Sequence, residues 1–517
     1  MKIVKLIKPY ALKHRGDISI FFIINVVLLA LSMFIPYTIG NYIDSLIMSP
    51  DLKIIWRAVI ILGTIWTLQL VLTYVRNMSS TRAGSLISFD LQYGLIEHLK
   101  SLPVHYFSDK DSAYINQRVS SDAGAITNFI MGSITSLIIT SLSFLFAIAI
   151  MFTLNVHVTL MICSTFPLYI LIYHRFKRPL YESGYKLSEE SNMFHGKINK
   201  QLGNIKLIKQ NAWSSHLGVE LETGYASLFK TIMRNANISY VFNNADSVVR
   251  YLVNIIIFIY SGYQIIRGNL SVGEFTMINS YSAMAISALS VFLGFGKSYR
   301  SALVAYDRIV DIYSVEKERN GTVCINSVES ISVHDLNFSY GERHIIKNFN
   351  TVMEKGNIYV VTGENGSGKS TFLDVLTGII QNYSGRIFFD SHELRELDIL
   401  HLREKCLSVI EQEPTLFFNT LKDNISFNSN NEDMVGYWLK KLDLTALVSS
   451  LPGNIDYNIS EKTSNLSGGE KQRIAEVRAF VKDTDVLIMD EPDSALDRWS
   501  LRLLCEILRE LKKVKLL

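Results

Sequence analysis

The sequence is short of charged residues and of cysteine, and both shortages narrow what the chain can be. Charged residues make up 19% of the 517 residues, below the ~25% usual for soluble proteins, and the mean hydropathy is +0.20. We therefore expect part of the chain in a membrane. The four cysteines are far apart and form no CxxC pair, which argues against a disulfide framework or a zinc site. The 51 basic and 48 acidic residues nearly cancel, which argues against a global basic field for nucleic acid.

The longest stretch without charge predicts two membrane spans. Residues 123–174 contain no Asp, Glu, Lys or Arg over 52 positions. As one helix they would be about 78 Å long, whereas the hydrocarbon core of a bilayer is about 30 Å thick. The stretch must fold back, and the polar pair Asn155 and His157 marks the reversal. The two predicted spans are 132–153 and 158–174.

Four further charge-free runs complete a set of six spans: residues 18–42, 58–75, 251–266 and 275–296. The basic start of the chain followed by an apolar run imitates a secretory signal. The run is too long for one and lacks a clear small-residue cleavage site, so we interpret it as an uncleaved first span. Basic residues concentrate before the first span and after the second and fourth, which predicts both termini on the cytoplasmic side.

The two long cytoplasmic connections, 76–127 and 175–247, keep the helical spacing of apolar residues in segments such as 87–102. We predict that they are membrane helices continuing into the cytoplasm. The alternative is a pair of independent soluble inserts.

After Lys297 the composition becomes that of a soluble α/β domain, with a boundary near residues 316–330. Residues 358–362 (IYVVT) read as a buried strand, and the pattern GxxxxGK[ST] of a phosphate-binding loop follows at once. Glycines let backbone N–H groups close around phosphate, Lys369 reaches the β and γ oxygens, and Ser370 offers its hydroxyl to Mg²⁺. The nucleotide-binding residues predicted here are Gly363, Asn365, Gly366, Ser367, Gly368, Lys369, Ser370 and Thr371.

A second apolar strand is predicted over residues 486–489, and the acidic pair Asp490 and Glu491 follows it directly. Such a pair at a strand end is often only a solvated turn. With a phosphate loop upstream, Asp490 becomes a candidate Mg²⁺ ligand and Glu491 the residue that polarises water.

The run Leu466-Ser-Gly-Gly-Glu470 shortly before this strand resembles the signature motif of ATP-binding cassette (ABC) transporters. The resemblance extends over residues 330–500 in motif order and spacing. It implies that Tyr340 stacks on adenine, and that Gln412 is the Q-loop glutamine that contacts Mg²⁺ and assists catalysis. It further assigns the D-loop to residues 494–497, ending at Asp497, and ATP contacts to Ser467, Gly468 and Gly469.

The membrane half resembles the exporter branch of the same family. Residues 268–275 look like its loop into the sixth helix, and 107–119 and 203–212 like its two coupling regions. The implied fold class is an α-helical membrane domain of six spans with long cytoplasmic extensions, joined to an α/β P-loop ATPase domain. The implied domains are a transmembrane domain over 1–315, a linker over 316–330 and a nucleotide-binding domain over 331–517.

Two departures from the family pattern concern the ATPase half. Residues 458–463, before the signature, keep the acidic Glu461 but lack the glycines of the exporter pattern. The family's switch histidine should follow the D-loop after one helix and one strand, whereas the sequence reaches Leu517 at the start of that strand and its last histidine is His401. Either the sequence is truncated there or the site lacks this γ-phosphate sensor.

The resemblance implies an ATP-driven exporter half in the plasma membrane that uses ATP and Mg²⁺. Its partners would be the lipid bilayer and a second half-transporter, in a homodimer or a heterodimer, with no nucleic acid. The six predicted spans contain no ionised residue and suit an amphiphilic substrate. The substrate class is therefore left open among a drug, a lipid and a mature peptide. The alternative function is an ATP-gated membrane regulator or channel that transports nothing.

The missing histidine generates a prediction. We expect the 517-residue chain to hydrolyse ATP far more slowly than a form extended through the next strand and a histidine, because the γ-phosphate would lose a hydrogen-bond partner. Both forms, purified in detergent, would be compared by ATPase rate and thermal stability. Comparable activity of the two forms would contradict this expectation.

Overall fold

The computed structural model describes residues 2–108, 110, 112–417, 419–426, 432–459, 466–513 and 515–516. The chain forms two compact units. The first contains Met1–Leu99 and Ser112–Ser314, and the second contains Lys100–Asp111 and Val315–Leu517.

All regular secondary structure among the described residues of the first unit is helical. Its helices are α1 (Lys2–Lys13), α2 (Arg15–Met48), α3 (Leu52–Lys100), α5 (Ser112–Gln117), α6 (Ala123–Asn128), α7 (Thr135–Leu154), α8 (Val156–Cys163), α9 (Phe166–Gly203), α10 (Ile205–Gln210), α11 (Ser214–Ile266) and α12 (Val272–Tyr313). The short helix α4 (His105–Ser108), which precedes α5 in the sequence, belongs to the second unit. Two π-helical turns, Arg118–Asp122 and Phe129–Ile134, flank α6.

Six helical stretches among the described residues are long and apolar enough to cross a membrane, which confirms the predicted number of spans. They are Arg15–Met48, Leu52–Lys100, Tyr114–Leu154, Val156–Gly203, Ser214–Ile266 and Val272–Tyr313. With 49 and 53 residues, α3 and α11 are about 74 and 80 Å long, more than twice the hydrocarbon thickness. The long connections are therefore extensions of membrane helices, and the alternative of separate soluble inserts is wrong.

The reversal between the third and fourth spans lies where the sequence placed it. Asn155 has an extended backbone between α7 and α8, and its side-chain oxygen accepts the backbone N–H groups of His157 and Val158 at 3.1 Å each. An asparagine in this position caps a helix and satisfies two of its free donors. The fourth span is interrupted once more before α9, at Ser164 and Thr165, next to Pro167.

The first and sixth spans are joined by a carboxylate at one end. Asp44 of α2 accepts hydrogen bonds from the Ser271 hydroxyl (2.6 Å) and from the backbone N–H of Gly273 (2.7 Å), at the start of α12. A Cβ on Gly273 would lie 2.1 Å from the carbonyl oxygen of Gly40, so only glycine permits this approach. Asp44 lies just outside the predicted first span, 18–42. An acidic side chain therefore joins two membrane helices, α2 and α12, although the predicted spans themselves contain none.

The second unit has two sheets among its described residues. An antiparallel sheet of order β2-β1-β3-β4 contains β1 (Ser330–Tyr340), β2 (Arg343–Glu354), β3 (Ser384–Phe389) and β4 (His392–Glu393). A two-stranded parallel sheet pairs β5 (Leu407–Ile410) with β6 (Val486–Met489). The helices are α13 (Lys369–Leu376), α14 (Ile399–Lys405), α15 (Leu421–Ser426), α16 (Glu432–Lys441), α17 (Thr445–Ser450), α18 (Gly468–Val481) and α19 (Arg498–Leu511), with a 3₁₀ turn at Asn454–Asp456.

The predicted strand over 358–362 is wrong for this structure, whereas the one over 486–489 is confirmed as β6. Ile358, Val360 and Val361 are 39%, 78% and 43% exposed. Gly356, just before them, donates its N–H to the carbonyl of Lys515 at 3.0 Å, but among the described residues no backbone hydrogen bond joins 357–362 to a neighbouring strand. The apolar pattern predicted burial, yet burial of a strand needs a neighbour on each side.

Helix α18 carries two polar side chains into the core of the second unit. Gln472 and Glu476, one helical turn apart, are both 0% exposed, and none of their four side-chain polar atoms has a hydrogen-bond partner among the described residues. They lie on the helix that also contributes the buried Ile474 and Val477 to an apolar cluster. Burial raises the pKa of the Glu476 carboxyl to about 8, and Arg473 lowers it only in part.

Glu476 predicts a pH dependence of stability. Between pH 4.5 and about 8 the folded protein holds a proton that the unfolded chain releases, so stability falls as pH rises through this range. The free energy of unfolding of the wild type should fall by about 3 kcal/mol between pH 5.5 and 8 through this group. Glu476→Gln, whose side chain is neutral at every pH, should not show this fall. The measurement is thermal unfolding of the full chain at both pH values, with the exposed Glu506→Gln as matched control. An unchanged pH dependence in Glu476→Gln would show that the carboxyl is charged in the fold.

Candidate functional site

The phosphate-binding loop, residues 363–370, lies between the irregular segment after β2 and helix α13. Gly366 and Gly368 have φ angles of +79° and +98°, in the left-handed region that favours glycine. A Cβ on Gly368 would lie 2.6 Å from Cγ2 of Ile345, so this position has no room for a side chain. Asn365, Ser367, Ser370 and Thr371 complete the loop and the first turn of α13.

The side chain of Lys369 folds across this loop. Its Nζ donates to the carbonyl oxygens of Gly363 (3.0 Å) and Glu364 (3.2 Å). The ammonium is thus held over the concave side, and the positive end of the α13 dipole lies beside it. The geometry suits an anion with several oxygens, such as a polyphosphate.

The parallel pairing of β5 with β6 brings two distant polar residues together. The register runs from Leu407 opposite Val486 to Ile410 opposite Met489, and the Asp490 N–H continues it by donating to the Ile410 carbonyl at 3.0 Å. Both chains then leave the sheet at the same edge. There Nε2 of Gln412 donates to Oε2 of Glu491 at 2.6 Å.

Glu491 also has an unusual backbone. Its φ of +44° lies in the left-handed region, which is rare for a residue with a side chain. Such strain persists where neighbouring structure imposes it and is concentrated at functional sites. Here the left-handed backbone of Glu491 turns the chain directly after β6, and the carboxylate of Glu491 contacts the side-chain amide of Gln412.

An acidic residue that the sequence reasoning missed lies on α13. Burial, and then the charges of Asp490 and Glu411, raise the pKa of the half-buried Asp374. The edge of the sheet that carries Asp490 is therefore electronegative, which suits a divalent cation. In the part of the chain that the structure describes, no group of three or more His, Cys, Asp or Glu residues could hold a metal. A cation here would need phosphate oxygens as further ligands, as is usual for Mg²⁺.

The signature residues form a separate, exposed helix start. Ser467 and Glu470 make a reciprocal cap: the Ser467 N–H donates to Oε2 of Glu470 (2.6 Å) and the Glu470 N–H donates to Oγ of Ser467 (3.3 Å). Gly468 and Gly469 open helix α18. A Cβ on Gly469 would lie 2.8 Å from the carbonyl oxygen of Ala495, so glycine lets the D-loop approach this helix end.

Two predicted residues have clear local roles. Asp497 caps α19 by accepting the Ser500 N–H at 2.7 Å, and this hydrogen bonding holds the pKa of Asp497 below its usual value. Tyr340 ends β1 and is 54% exposed, with its ring set edge-on to Phe338 at 4.8 Å between centroids. An exposed ring fixed in this way offers a face for stacking.

The predicted residues fall into two groups. One contains the phosphate loop, and Gln412 with Glu491; the other contains the signature and the D-loop. Among the described residues, no hydrogen bond joins Ser467 to Lys369 or to Glu491. Most of the segment before the signature, 460–465, lies outside the described residues. The residues missed from sequence, Asp374 and Glu476, are acidic positions within otherwise apolar helix faces.

Comparison with known families agrees with this architecture. Residues 18–289 match the family of the ABC transporter transmembrane region, and residues 346–494 match the family described as ABC transporter. The first match alone covers more than half of the chain, and the chain therefore belongs to the ABC transporter family. Within that family it has the organisation of an exporter-type half-transporter, one membrane domain fused to one ATPase domain.

Individual relatives cover nearly the whole chain. An uncharacterised ABC transporter ATP-binding protein of Bacillus subtilis is 26% identical over 96% of this chain and 87% of its own length. The ATP-dependent lipid A-core flippase of Desulfotalea psychrophila is 23% identical over 97% of this chain and 88% of its own. The solved structure of a bacterial Atm1-family ABC exporter with ATP bound shares the fold, with a TM-score of 0.82, 19% identity, and coverage of 97% and 90%.

The contact between Gln412 and Glu491 leads to a prediction. Glu491→Gln should still bind ATP but lose about a hundredfold or more in turnover, because the amide cannot accept a proton from water. Nucleotide occupancy and turnover are measured on the purified chain. The exposed Glu413→Gln, beside Gln412, is the matched control and should keep wild-type turnover. Equal turnover in wild type and Glu491→Gln would refute the role given to this carboxylate.

Proposed function

We propose that this protein is an ATP-driven exporter half that acts as a dimer in the plasma membrane and moves an amphiphilic small molecule, lipid or peptide. Residues 1–315 serve as the transmembrane domain, 316–330 as the linker and 331–517 as the nucleotide-binding domain. The observation that carries the proposal is the Lys369 loop and the Gln412–Glu491 pair in a chain with six apolar helices.

The chemistry follows from where the side chains lie. The Lys369 ammonium and the N-terminus of α13 bind the β and γ phosphates of ATP, and the exposed face of Tyr340 receives the adenine. Ser370, Gln412 and Asp490 would hold Mg²⁺, which supplies charge neutralisation on the phosphates. Glu491 orients the attacking water and accepts its proton.

A second chain completes each ATP site. One chain supplies one phosphate loop and one signature, and its Ser467 cap is exposed at the start of a 14-residue helix. In a dimer, Ser467, Gly468 and Gly469 of one protomer would meet the γ phosphate held by the other, with Asp497 beside them. The second chain is either another copy or a different half-transporter.

The membrane domain converts closure of the dimer into transport. The distribution of Lys and Arg supports a cytoplasmic position for both termini. The short helices α5 and α10 lie within the two coupling regions that the sequence indicates, and α4 overlaps the start of the first one. Rigid helices about 74–80 Å long can carry a displacement from these turns into the spans.

The substrate class is argued from the spans. The relative named as an ATP-dependent lipid A-core flippase suggests an amphiphile. The spans offer partly exposed Asn254 and Asn279 without an ionised side chain in the predicted segments. Tyr281 of the sixth span is 0% exposed and donates its hydroxyl to the Met33 carbonyl at 2.7 Å, so this side chain packs two helices together and is not available to a substrate.

Loss of the loop lysine tests the proposal. Lys369→Ala should abolish ATP-dependent transport, because the β and γ phosphates lose their compensating charge. Uptake of a fluorescent amphiphile into inside-out vesicles, with ATP hydrolysis measured in parallel, reports the effect. The matched control is the exposed Lys347→Ala on β2, which should transport normally. Undiminished ATP-dependent uptake by Lys369→Ala would overturn the proposed function.

A further inference from the structure

A cavity of about 450 Å³ lies between the N-terminal helix α1 and helix α12 of the membrane unit. It is lined by Lys2, Lys5, Tyr299 and Leu303. Its volume falls within the range of small-molecule sites, roughly 300–1,000 Å³. One side of the cavity is basic and the other is aromatic and aliphatic.

The basic side is held in place by the opposite face of α1. Lys2 and Lys5 are three residues apart and so share one face of this helix. Ile3 and Ile7 are 0% and 1% exposed and anchor the helix to the protein. Neither Lys2 nor Lys5 forms an ion pair with any described residue, whereas Lys13 on the same helix is bound to Asp90 at 2.9 Å.

The apolar side is also fixed. Tyr299 and Leu303 are four residues apart on one face of α12. The Tyr299 ring packs on Phe129 and Phe295, with centroid separations of 5.9 and 6.5 Å. This wall therefore exists before any ligand arrives, which limits the entropy lost on binding.

We propose that this cavity binds an anionic phospholipid of the cytoplasmic leaflet as a resident ligand. The ammonium groups of Lys2 and Lys5 bind its phosphate, and the upper part of an acyl chain lies along Tyr299 and Leu303. The assignment to that leaflet rests on the topology in the proposed function.

Charge complementarity selects this occupant. The first thirteen residues contain four lysines and no acidic residue, so α1 is a basic helix. Val4 and Leu12 are 41% and 59% exposed on it, as expected for a helix lying in a bilayer interface. The cytoplasmic leaflet is rich in anionic lipid, to which each nearby lysine contributes about 1 kcal/mol of attraction. A zwitterionic lipid gains little from the two lysines because its net charge is zero.

The test is lipid binding by the purified full chain in detergent, with phosphatidylglycerol and phosphatidylcholine compared by native mass spectrometry. Wild type should retain phosphatidylglycerol preferentially. Lys5→Gln should weaken that binding about fivefold, and Lys2→Gln with Lys5→Gln more strongly. Leu303→Trp, which fills the cavity and keeps both lysines, should weaken it too. Lys8→Gln, an exposed lysine of the same helix outside the cavity, is the matched control and should bind like wild type.

Several outcomes would overturn the proposal. Unchanged phosphatidylglycerol binding in both Lys5→Gln and Leu303→Trp would show that the cavity is not the site, and equal loss in Lys8→Gln would show unspecific attraction to α1. Displacement of the lipid by inorganic phosphate alone would indicate a site for the anion rather than for lipid. Thermal unfolding of every variant is measured alongside, and Leu303→Trp decides the matter if the lysine variants unfold.

A separate arm distinguishes a resident lipid from a transported one. Head-labelled phosphatidylglycerol in proteoliposomes should stay in its leaflet when ATP is added, and Lys5-dependent translocation would make the cavity an entry site for substrate instead. Because lipid binding is measured without ATP, a wild-type chain that binds lipid but hydrolyses no ATP would refute the proposed function and leave this inference standing.

Discussion

The candidate site of the ATPase unit depends on the parallel pairing of two four-residue strands, β5 and β6. The register carries Gln412 and Glu491, 79 positions apart in sequence, to the same edge of the sheet, where their side chains meet at 2.6 Å. A slip of one strand by one residue would turn its side chains to the other face and would separate Gln412 from Glu491. The left-handed backbone of Glu491 depends on the same pairing, because Asp490 just before it is hydrogen-bonded to Ile410.

The membrane unit obeys a different constraint, the need to satisfy every backbone group within a bilayer. Long uninterrupted helices meet it, and their ends are closed by side chains: Asn155 caps α8, and Asp44 of the first span binds the start of the sixth. These polar side chains thus accept hydrogen bonds from the free backbone N–H groups at the helix ends, which water would satisfy in a soluble helix. The unit also contains the basic helix α1. Two lysines of this helix, Lys2 and Lys5, line a cavity and form no ion pair with a described carboxylate.

Local signals in the sequence predicted the spans, the Asn155 reversal, β6 and the glycines at 366 and 368, because charge, capping and φ preferences act over a few residues. Properties that depend on neighbours could not be predicted in the same way. Residues 358–362 have a strand composition but no described strand beside them. Glu476 is a buried acid and Asp374 a half-buried one, on helices whose polar pattern looked ordinary. The roles given to Lys369, Gln412, Glu491 and the signature remain predictions that the geometry supports.

The central claim is that each ATP site is shared between two chains, and a mixed dimer tests it most directly. A chain with Lys369→Ala has a defective loop and an intact signature, whereas a chain with Ser467→Arg has the reverse. Each variant alone should be inactive. If the sites are shared, co-purified mixed dimers contain one intact site and regain part of the wild-type ATPase rate. Mixed dimers that co-purify through two different tags but remain as inactive as either parent would contradict the account.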